Sequence, residues 1–237
     1  MRYYYAEHQA AYQRLVHEGL TQWSDLFGET DEYDVFPNRP FLEHALTRLK
    51  LPAEPDVLEY GCGTGPAACF LAARGFRVDA IDLIPHAIAM ARRFARERGV
   101  DVNFRVQDVC VMGAGGKQYD VVLDSYCLQS IVMDADRANL LAAVRDRLKS
   151  SGYYVLSTAM YDPDRVYDNE FRYDATSGIC YQAAGPAEDA IQLDGTWYLP
   201  HRRHLQPAAL RAELETAGLC VISQDGGDVI CVRSHGA

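Results

Sequence analysis

The stretch that decides the fold is Val57-Leu58-Glu59-Tyr60-Gly61-Cys62-Gly63-Thr64-Gly65-Pro66. It starts as a short apolar strand, passes three glycines at alternate positions, and reaches a proline that suits the first turn of a helix. Glycine lets the backbone turn sharply and approach a ligand closely, and the N-terminus of the next helix supplies backbone N–H donors. The stretch therefore predicts a strand, a ligand-binding glycine loop and a helix. Taken alone, a tight turn without a ligand is the alternative.

Strands and helices alternate on the C-terminal side of this loop. The pattern predicts strands at 56–60, 77–81, 102–106, 119–123 and 152–158 and helices at 66–74, 85–98, 137–149 and 207–217. Near-continuous apolar runs such as Val121-Val122-Leu123 are typical of parallel strands buried on both faces. The last two predicted strands, 219–223 and 228–232, are joined by the hairpin signal Asp225-Gly226-Gly227. We expect an α/β fold with a doubly wound, mostly parallel, seven-stranded, Rossmann-like sheet and a C-terminal antiparallel hairpin.

Two segments lie outside this alternation. Residues 1–50 have helical patterns broken at Phe36-Pro37-Asn38-Arg39-Pro40, which predicts an N-terminal helical cap before a main domain at 51–237. Polar and aromatic residues at 161–205 interrupt the alternation after the fifth strand. Because a structureless loop of that length is uncommon in a compact domain, we predict an inserted hairpin or lid.

Composition narrows the class of protein and of partner. The chain has 237 residues and a formal net charge of −10, which argues against a nucleic-acid partner because phosphate backbones need clustered Lys and Arg. It has no apolar run long enough for a membrane span and no secretory signal at its start. The seven cysteines include no C-x-x-C pair, which favours reduced thiols and no metal site. We expect a cytoplasmic monomer or homodimer that acts on a small molecule.

Acidic residues end the second and third predicted strands. Asp82 follows the second strand, and Asp108 follows the third strand directly after Gln107. In a doubly wound sheet these strand ends lie beside the glycine loop, so Asp82 can accept hydrogen bonds from ribose hydroxyls and Asp108 can lie near an adenine amino group. Each acid alone could be a surface residue or a helix cap.

The combined motif Glu59-x-Gly61-x-Gly63-x-Gly65, with Asp82, Asp108 and Tyr119-Asp120-Val121-Val122-Leu123-Asp124-Ser125, resembles the class I S-adenosylmethionine-dependent methyltransferases. It is most similar to the small-molecule branch with a type 11/12 methyltransferase domain. The resemblance is close over residues 56–160, continues in the last helix and hairpin, and is weakest over 1–50 and 161–205. It implies S-adenosylmethionine as cofactor and methyl transfer to a small-molecule acceptor.

The resemblance also implies which residues contact the cofactor. They are Glu59, Gly61, Cys62, Gly63, Gly65, Asp82, Leu83, Gln107, Asp108, Val109, Asp124 and Ser125. Glu59 would order the loop and the methionine amino group, Asp82 would bind the ribose, and Leu83 would pack on the adenine. The segment from Asp124 to Leu128 would line the methionine side and face the acceptor.

The acceptor site is predicted from aromatic and basic residues. Substrate contacts are expected from Tyr4, Tyr5, Gln129, Tyr161, Trp197 and Arg203. Aromatic groups with polar tips suit a pocket that orients a small acceptor, although they can equally pack the insertion onto the sheet. Catalytic candidates are His204, His201 and Tyr126. A histidine could act as a general base, but the segment that contains both could also be a solvated basic loop. Many relatives have a histidine after the fourth strand, where this chain has Leu128-Gln129-Ser130.

Two other functions compete with methyl transfer. An NAD(P)-dependent oxidoreductase would need a G-x-G-x-x-G loop, whereas the glycines here alternate and Pro66 follows the third. A non-catalytic module that binds S-adenosylmethionine or S-adenosylhomocysteine would keep the same loop. The sequence leaves the acceptor atom open among O, N, S and C.

Overall fold

The computed structural model describes residues 4–27, 33–113, 115–165, 170–187 and 189–234. Within these ranges the helices are α1 (Tyr5–Glu18), α2 (Arg39–Arg48), α3 (Pro66–Ala72), α4 (Pro85–Arg98), α5 (Asp134–Arg147) and α6 (Pro207–Thr216). The strands are β1 (Asp56–Tyr60), β2 (Arg77–Asp82), β3 (Val102–Val106), β4 (Tyr119–Ser125), β5 (Leu148–Ser157), β6 (Phe171–Asp174), β7 (Ile179–Ala184), β8 (Ile191–Leu193), β9 (Thr196–Arg203), β10 (Leu219–Asp225) and β11 (Asp228–Arg233).

The main sheet has seven strands in the order β10-β11-β5-β4-β1-β2-β3. Strands β1 to β5 pair in parallel, while β11 pairs antiparallel with both β5 and β10. Side chains of the central strands alternate between two apolar cores: Val57 and Leu123 belong to one, Leu58 and Val122 to the other. The predicted α/β fold with a terminal hairpin is therefore confirmed, and the apolar runs reflect burial on both faces.

The insertion after β5 forms a second sheet instead of a single hairpin. Its strands are antiparallel in the order β6-β7-β9-β8. Strand β9 shows the period-two burial of a sheet with one covered face, because Tyr198, Pro200 and Arg202 are buried and their neighbours are more exposed. Strands β6 to β9 thus form a separate antiparallel sheet within the predicted insertion. Tyr167, an aromatic residue of this segment, lies outside the described residues.

Helix α1 begins the cap and packs on the core of the main sheet. Its buried residues Tyr12 and Leu15 belong to the same apolar cluster as Val57 and Ala68. Gly19 ends the helix in the left-handed conformation at φ +69°, as helix C-termini commonly do. No helix in the described ranges is long and apolar enough to cross a membrane.

Candidate active site

The glycine loop between β1 and α3 can be built only with glycine at its key positions. Gly61, Gly63 and Gly65 have φ values of +60°, +55° and +80°, where other residues are strained. A Cβ atom on Gly61 would lie 2.3 Å from Sγ of Cys127, and one on Gly63 would lie 2.7 Å from the hydroxyl of Tyr12. The loop is therefore held close to the segment after β4 and to helix α1.

Asp82 joins the end of β2 to this loop. Its Oδ2 accepts a hydrogen bond from the backbone N–H of Gly63 at 2.9 Å, and its Oδ1 accepts one from Ile84 at 2.8 Å. Burial raises the pKa of Asp82 to about 6, and the hydrogen bonds from the backbone oppose that rise. The carboxyl group is thus fixed at the carboxyl edge of the sheet, where ligands bind in open α/β folds.

A cleft lies along this edge, between helix α1 and the ends of β1, β2, β3 and β4. Its empty space, including the part open to solvent, is about 400 Å³. Residues from five parts of the chain line it: Tyr4, His8, Gly61, Asp82, Leu83, Ile84, Gln107, Asp108, Val109, Cys127, Ser130 and Ile131. The structure thus brings together six of the predicted cofactor residues and one predicted substrate residue, Tyr4. Asp108 also accepts a hydrogen bond from the N–H of Cys110 at 2.8 Å, which caps a short 3-10 helix.

Glu59 and Asp124 are buried behind the glycine loop. Burial raises the pKa of Glu59 to about 8, a hydrogen bond with Ser125 opposes that rise, and repulsion from Asp124 adds to it. Among the described residues, the buried Oε2 of Glu59 has no hydrogen-bond partner. Such an oxygen is costly unless a ligand donates to it. The hydroxyl of Ser125 accepts a hydrogen bond from Asn38 of the cap at 3.1 Å.

The carboxyl group of Asp124 shapes the segment after β4. It accepts hydrogen bonds from the hydroxyl of Tyr60 at 2.5 Å and from the backbone N–H groups of Cys127 and Leu128 at 2.6 and 3.0 Å. Burial raises the pKa of Asp124 to about 7, although these donors lower it. Its oxygens are therefore engaged with the protein, and a side-chain contact with a cofactor stays a prediction.

Arg137 on α5 holds the same segment from the opposite side. Its guanidinium donates to the carbonyl oxygens of Leu128 and Ile131, each at 2.8 Å, and to both carboxyl oxygens of Glu213, each at 2.6 Å. Sequence reasoning missed this residue. The predicted substrate residue Gln129 also has a structural contact, since its Oε1 accepts from the N–H of Ala159 at 2.7 Å.

The structure places the predicted catalytic histidines in and beside the insertion. His201 lies on β9 with its Nδ1 3.6 Å from Glu7, and the Nδ1 of His204 lies 3.2 Å from the guanidinium of Arg165. Burial, with the nearby charges of Arg165 and Arg202, lowers the pKa of His204 to about 4. Neither histidine is among the described residues that line the cleft.

Tyr126 differs from these histidines in its backbone. It has φ +64°, a rare conformation for a bulky residue, and its N–H donates to the carbonyl of Ser157 at 2.8 Å. Its side chain is 36% exposed. Backbone strain of this kind is common at functional sites. A catalytic role for Tyr126 stays a prediction.

The remaining predicted substrate residues lie on the cap and the insertion. Tyr161 stacks on Tyr173 with 4.9 Å between the ring centres. Trp197 on β9 lies opposite Ala184 on the neighbouring strand β7. Arg203 donates to the carbonyl of Val132 at 3.1 Å and forms an ion pair with Asp134, so it anchors the insertion to the start of α5. Tyr5 packs against the apolar core, and Tyr3 lies outside the described residues. These contacts give the residues structural functions and leave their role in substrate binding a prediction.

Sequence reasoning missed part of the cleft wall on α1. His8 lines the cleft beside Tyr4, and Tyr12 lies one turn further along the helix with its hydroxyl over Gly63. The spacing of four residues places all three on one helical face. This spacing was the signal that could have added His8 and Tyr12 to the predicted Tyr4. Cys127, which belongs to the predicted segment from Asp124 to Leu128, lies on the facing wall with its Sγ against Gly61.

Comparisons with known proteins agree with this geometry. Residues 57–152 match the family described as a methyltransferase domain. A ubiquinone biosynthesis O-methyltransferase from Xanthomonas euvesicatoria pv. vesicatoria (strain 85-10) is 36% identical over 188 residues, which cover 75% of this chain and 67% of that protein. An S-adenosyl-L-methionine-dependent Diels-Alderase, iliD, from Neonectria sp. (strain DH2) is 40% identical over 102 residues, which cover 40% of this chain and only 41% of that protein.

Among solved structures, the fold is similar to that of a 1,6-didemethyltoxoflavin-N1-methyltransferase from Burkholderia thailandensis, which was crystallised with 1,6-didemethyltoxoflavin and S-adenosylhomocysteine. The TM-score is 0.60 with 18% sequence identity, and the match covers 98% of this chain and 89% of that chain. At this identity the similarity concerns the fold.

Proposed function

Because this chain belongs to the class I S-adenosylmethionine-dependent methyltransferases, we propose that it transfers a methyl group from S-adenosylmethionine to a small-molecule acceptor in the cleft beneath helix α1. One observation supports this proposal above all others. The cleft unites the glycine loop with Asp82, Gln107 and Asp108, which end two neighbouring strands. Acidic and amide side chains at adjacent strand ends suit ribose hydroxyls and the edge of an adenine.

The buried carboxyl groups of the site fit a cationic cofactor. Glu59, Asp82 and Asp124 are all buried. None of the described residues that line the cleft is a lysine or an arginine. The Oε2 of Glu59, which has no partner among the described residues, can accept a hydrogen bond from a ligand or form an ion pair with a cationic group of it. Cofactor contacts are thus proposed for the predicted set, with Glu59 and Asp124 acting chiefly through the shape and charge of the loops.

S-adenosylmethionine would supply an electrophilic methyl group bound to a sulfonium. Because the electrophile is already strong, the protein's task is to align the acceptor and to exclude water. Helix α1 contributes Tyr4 and His8 to the cleft, and the segment after β4 contributes Ser130 and Ile131. We propose that the cap at 1–50, and the insertion at 161–205 within the domain at 51–237, cover this site.

We propose a hydroxyl group on an aromatic ring as the acceptor. The support is the 36% identical relative that is named as an O-methyltransferase, together with the aromatic side chains of Tyr4, Tyr12 and Trp23 around α1. Flat aromatic acceptors suit such surroundings because ring faces and edges attract each other.

Further properties of the whole protein are also proposals. All seven cysteines are free, which supports a reducing compartment such as the cytoplasm. The net charge of −10 supports a small molecule over a nucleic acid as substrate. A monomer or homodimer is proposed for the assembly.

Calorimetric titration with S-adenosylmethionine and S-adenosylhomocysteine tests the cofactor site. The wild type should bind both, and Asp82→Asn should weaken binding by about 100-fold, the loss of ~2.7 kcal/mol expected for a charged hydrogen-bonding group. Asp79→Asn is the matched control, because Asp79 lies on the same strand but contacts Asn103, Lys117 and Tyr119. Binding of NAD in place of both sulfur ligands would overturn the proposal.

Turnover tests the acceptor class. Phenol, catechol, hydroxyquinoline, aniline and thiophenol are each incubated with S-adenosylmethionine, and formation of S-adenosylhomocysteine and of the methylated product is measured. Methylation of a phenolic oxygen is the expected result. Methylation of aniline or thiophenol, but of no phenol, would overturn the oxygen acceptor while leaving methyl transfer intact. Cofactor binding without transfer to any of these compounds would favour the non-catalytic module.

A further inference from the structure

His8 stands out among the histidines because it reaches the cleft. It lies on the second turn of α1 and lines the cleft together with Tyr4, Asp82 and Cys127. Its ring centre is 5.6 Å from that of Tyr4 and 4.9 Å from that of Trp23, so the imidazole is held between two aromatic rings. A side chain packed in this way has few alternative rotamers.

The imidazole of His8 has an unused nitrogen. Its Nε2 is buried from solvent, and among the described residues no group forms a hydrogen bond with it. A buried polar atom without a partner costs on the order of 1–3 kcal/mol, and native structures generally reserve such an atom for a bound water or ligand. A buried nitrogen without a partner, on a residue that lines the cleft, therefore points to a contact with a bound molecule.

We propose that His8 is a catalytic residue whose Nε2 accepts the proton of the acceptor during methyl transfer. This inference rests on the proposed function, because it needs an acceptor that carries a proton on its nucleophilic atom. Nothing in the local sequence around His8 predicts the role, which depends on the packing of α1 over the glycine loop. It assigns to the cap the proton acceptor that the segment Leu128-Gln129-Ser130 lacks.

The surroundings of His8 keep its imidazole neutral. Burial and the positive charge of Arg202 lower the pKa of His8 to about 4, and Glu7 opposes the shift. The imidazole is therefore neutral at pH 7, with one nitrogen lone pair available. Of the other charged groups nearby, His201 also disfavours protonation, while the carboxyls of Asp82 and Asp108 line the same cleft.

With a phenolic acceptor, proton transfer to His8 accompanies methyl transfer to the oxygen. The O–H bond breaks and its proton forms a bond with Nε2, while an oxygen electron pair forms the new bond to the methyl carbon. The bond between that carbon and sulfur breaks, and its electron pair stays on sulfur. His8 then carries the proton as an imidazolium and releases it to solvent when the product leaves the cleft.

Steady-state kinetics with catechol as probe separates this role from packing. His8→Ala should lower kcat by about 100-fold, within the range of general base catalysis, while the affinity for S-adenosylhomocysteine stays within about twofold. Imidazole added to the variant should restore part of the rate. His17→Asn, on the exposed last turn of the same helix, is the matched control and should keep the wild-type rate. Loss of S-adenosylhomocysteine affinity in His8→Ala, without rescue of kcat by imidazole, would make His8 a cofactor or packing residue.

A spectroscopic readout is independent of turnover. Protein labelled with ¹⁵N-histidine is titrated with catechol in the presence of S-adenosylhomocysteine, and the His8 signals are assigned from their absence in His8→Ala. The Nε2 resonance should shift on addition of catechol. An unchanged Nε2 resonance would overturn the proposal, even if S-adenosylhomocysteine binds and supports the proposed function. Absence of S-adenosylhomocysteine binding would instead refute the proposed function itself.

Discussion

Arg202, on strand β9 of the insertion, forms a two-point ion pair with Glu7 on the first turn of helix α1. The guanidinium nitrogens lie 2.8 and 3.3 Å from the carboxyl oxygens. Burial favours the neutral form of Glu7, but hydrogen bonds from His201 and Arg202 outweigh it and hold its pKa at about 2. The pair joins two segments at opposite ends of the chain immediately beside His8, and so links the insertion to the wall of the cleft.

Breaking this pair is expected to loosen the cap. Glu7→Gln should lower the unfolding free energy by about 0.5–1 kcal/mol, since Glu7 is partly exposed and solvent screens its charge. The affinity for S-adenosylhomocysteine should fall by about threefold to tenfold because α1 forms the cleft wall. Thermal unfolding and calorimetry measure the two effects. Arg172→Met is the control: its ion pair with Asp194 lies within the insertion, so it should leave cofactor affinity unchanged.

The pH dependence of this contact has a defined sign. The folded pKa of Glu7 is about 2, below its ordinary value of 4.5. Its stabilising contribution is therefore complete above pH 4.5 and is lost as the pH falls toward 2. If Glu7→Gln and the wild type differ equally in stability at pH 7 and pH 3, the ion pair contributes nothing.

Gly61→Ala should abolish cofactor binding through a clash as well as through strain. The positive φ alone costs about 1–2 kcal/mol, and the new Cβ would lie 2.3 Å from Sγ of Cys127. Gly75→Ala is a matched control, because Gly75 has φ +85° but nothing within 4 Å of its Cβ position. Denaturant unfolding should show a larger loss for Gly61→Ala than for Gly75→Ala. Equal losses in both variants would show that the contact with Cys127 yields without cost.

Replacing Cys127 by alanine is not expected to relieve the clash at Gly61. Cβ of Cys127 lies 2.5 Å from the same position, so Cys127→Ala removes the sulfur but leaves the overlap. The double variant Gly61→Ala, Cys127→Ala is thus expected to bind S-adenosylhomocysteine no better than Gly61→Ala alone. Restored binding in the double variant, measured by calorimetry, would locate the whole conflict at the sulfur atom.

The sequence predicted those features that depend on neighbouring residues. The apolar runs of β1 and β4, the loop at Gly61 and the carboxylate of Asp82 all follow from short local patterns. Parallel strands then bring their carboxyl ends to one edge, so the cleft floor could be predicted as well. The four strands of the insertion were harder to predict, because their aromatic and polar residues lack a continuous apolar pattern.

Contacts between residues that are far apart in the sequence were not predicted. Glu7 and Arg202 are 195 residues apart, and no local pattern indicates that they meet. Arg137 looks like a surface residue of an amphipathic helix, because arginine is rarely buried unless it is paired. Its partner Glu213 on α6, together with the carbonyl oxygens of Leu128 and Ile131, explains its 2% exposure. His8 and Tyr12 share a helical face with the predicted Tyr4, but their position beside the glycine loop follows from the docking of the cap.

Glu59 should make the stability of the ligand-free protein fall as the pH rises through neutrality. Its folded pKa of about 8 exceeds the ordinary value of 4.5, so its contribution is complete below pH 4.5 and is lost as the pH approaches 8. One proton changes the unfolding free energy by at most ~1.4 kcal/mol per pH unit. Glu59→Gln, which keeps the neutral shape, should show a smaller decrease between pH 6 and pH 8 in denaturant titrations. The exposed Glu43→Gln should match the wild type, and an unchanged slope in Glu59→Gln would show that Glu59 is already ionised at pH 6.

We expect Arg137 to hold the segment after β4 at the cleft wall and also to stabilise the fold. Arg137→Met removes the donors to Leu128 and Ile131 and leaves Glu213 without its partner, at a cost of about 3–5 kcal/mol in unfolding free energy. Because Ile131 lines the cleft, affinity for S-adenosylhomocysteine should fall too.

Glu213→Gln separates these two functions of the arginine. This variant also destabilises the protein, since it leaves the buried guanidinium without a counter-charge, but Arg137 keeps its bonds to both carbonyl oxygens. Its cofactor affinity should therefore stay near the wild-type value at a temperature where both variants are folded. Denaturant unfolding and calorimetry on the two variants, with the half-buried Arg145→Met as a control on α5, provide the comparison. If both variants lose affinity in proportion to stability, the carbonyl contacts have no separate effect on the cleft.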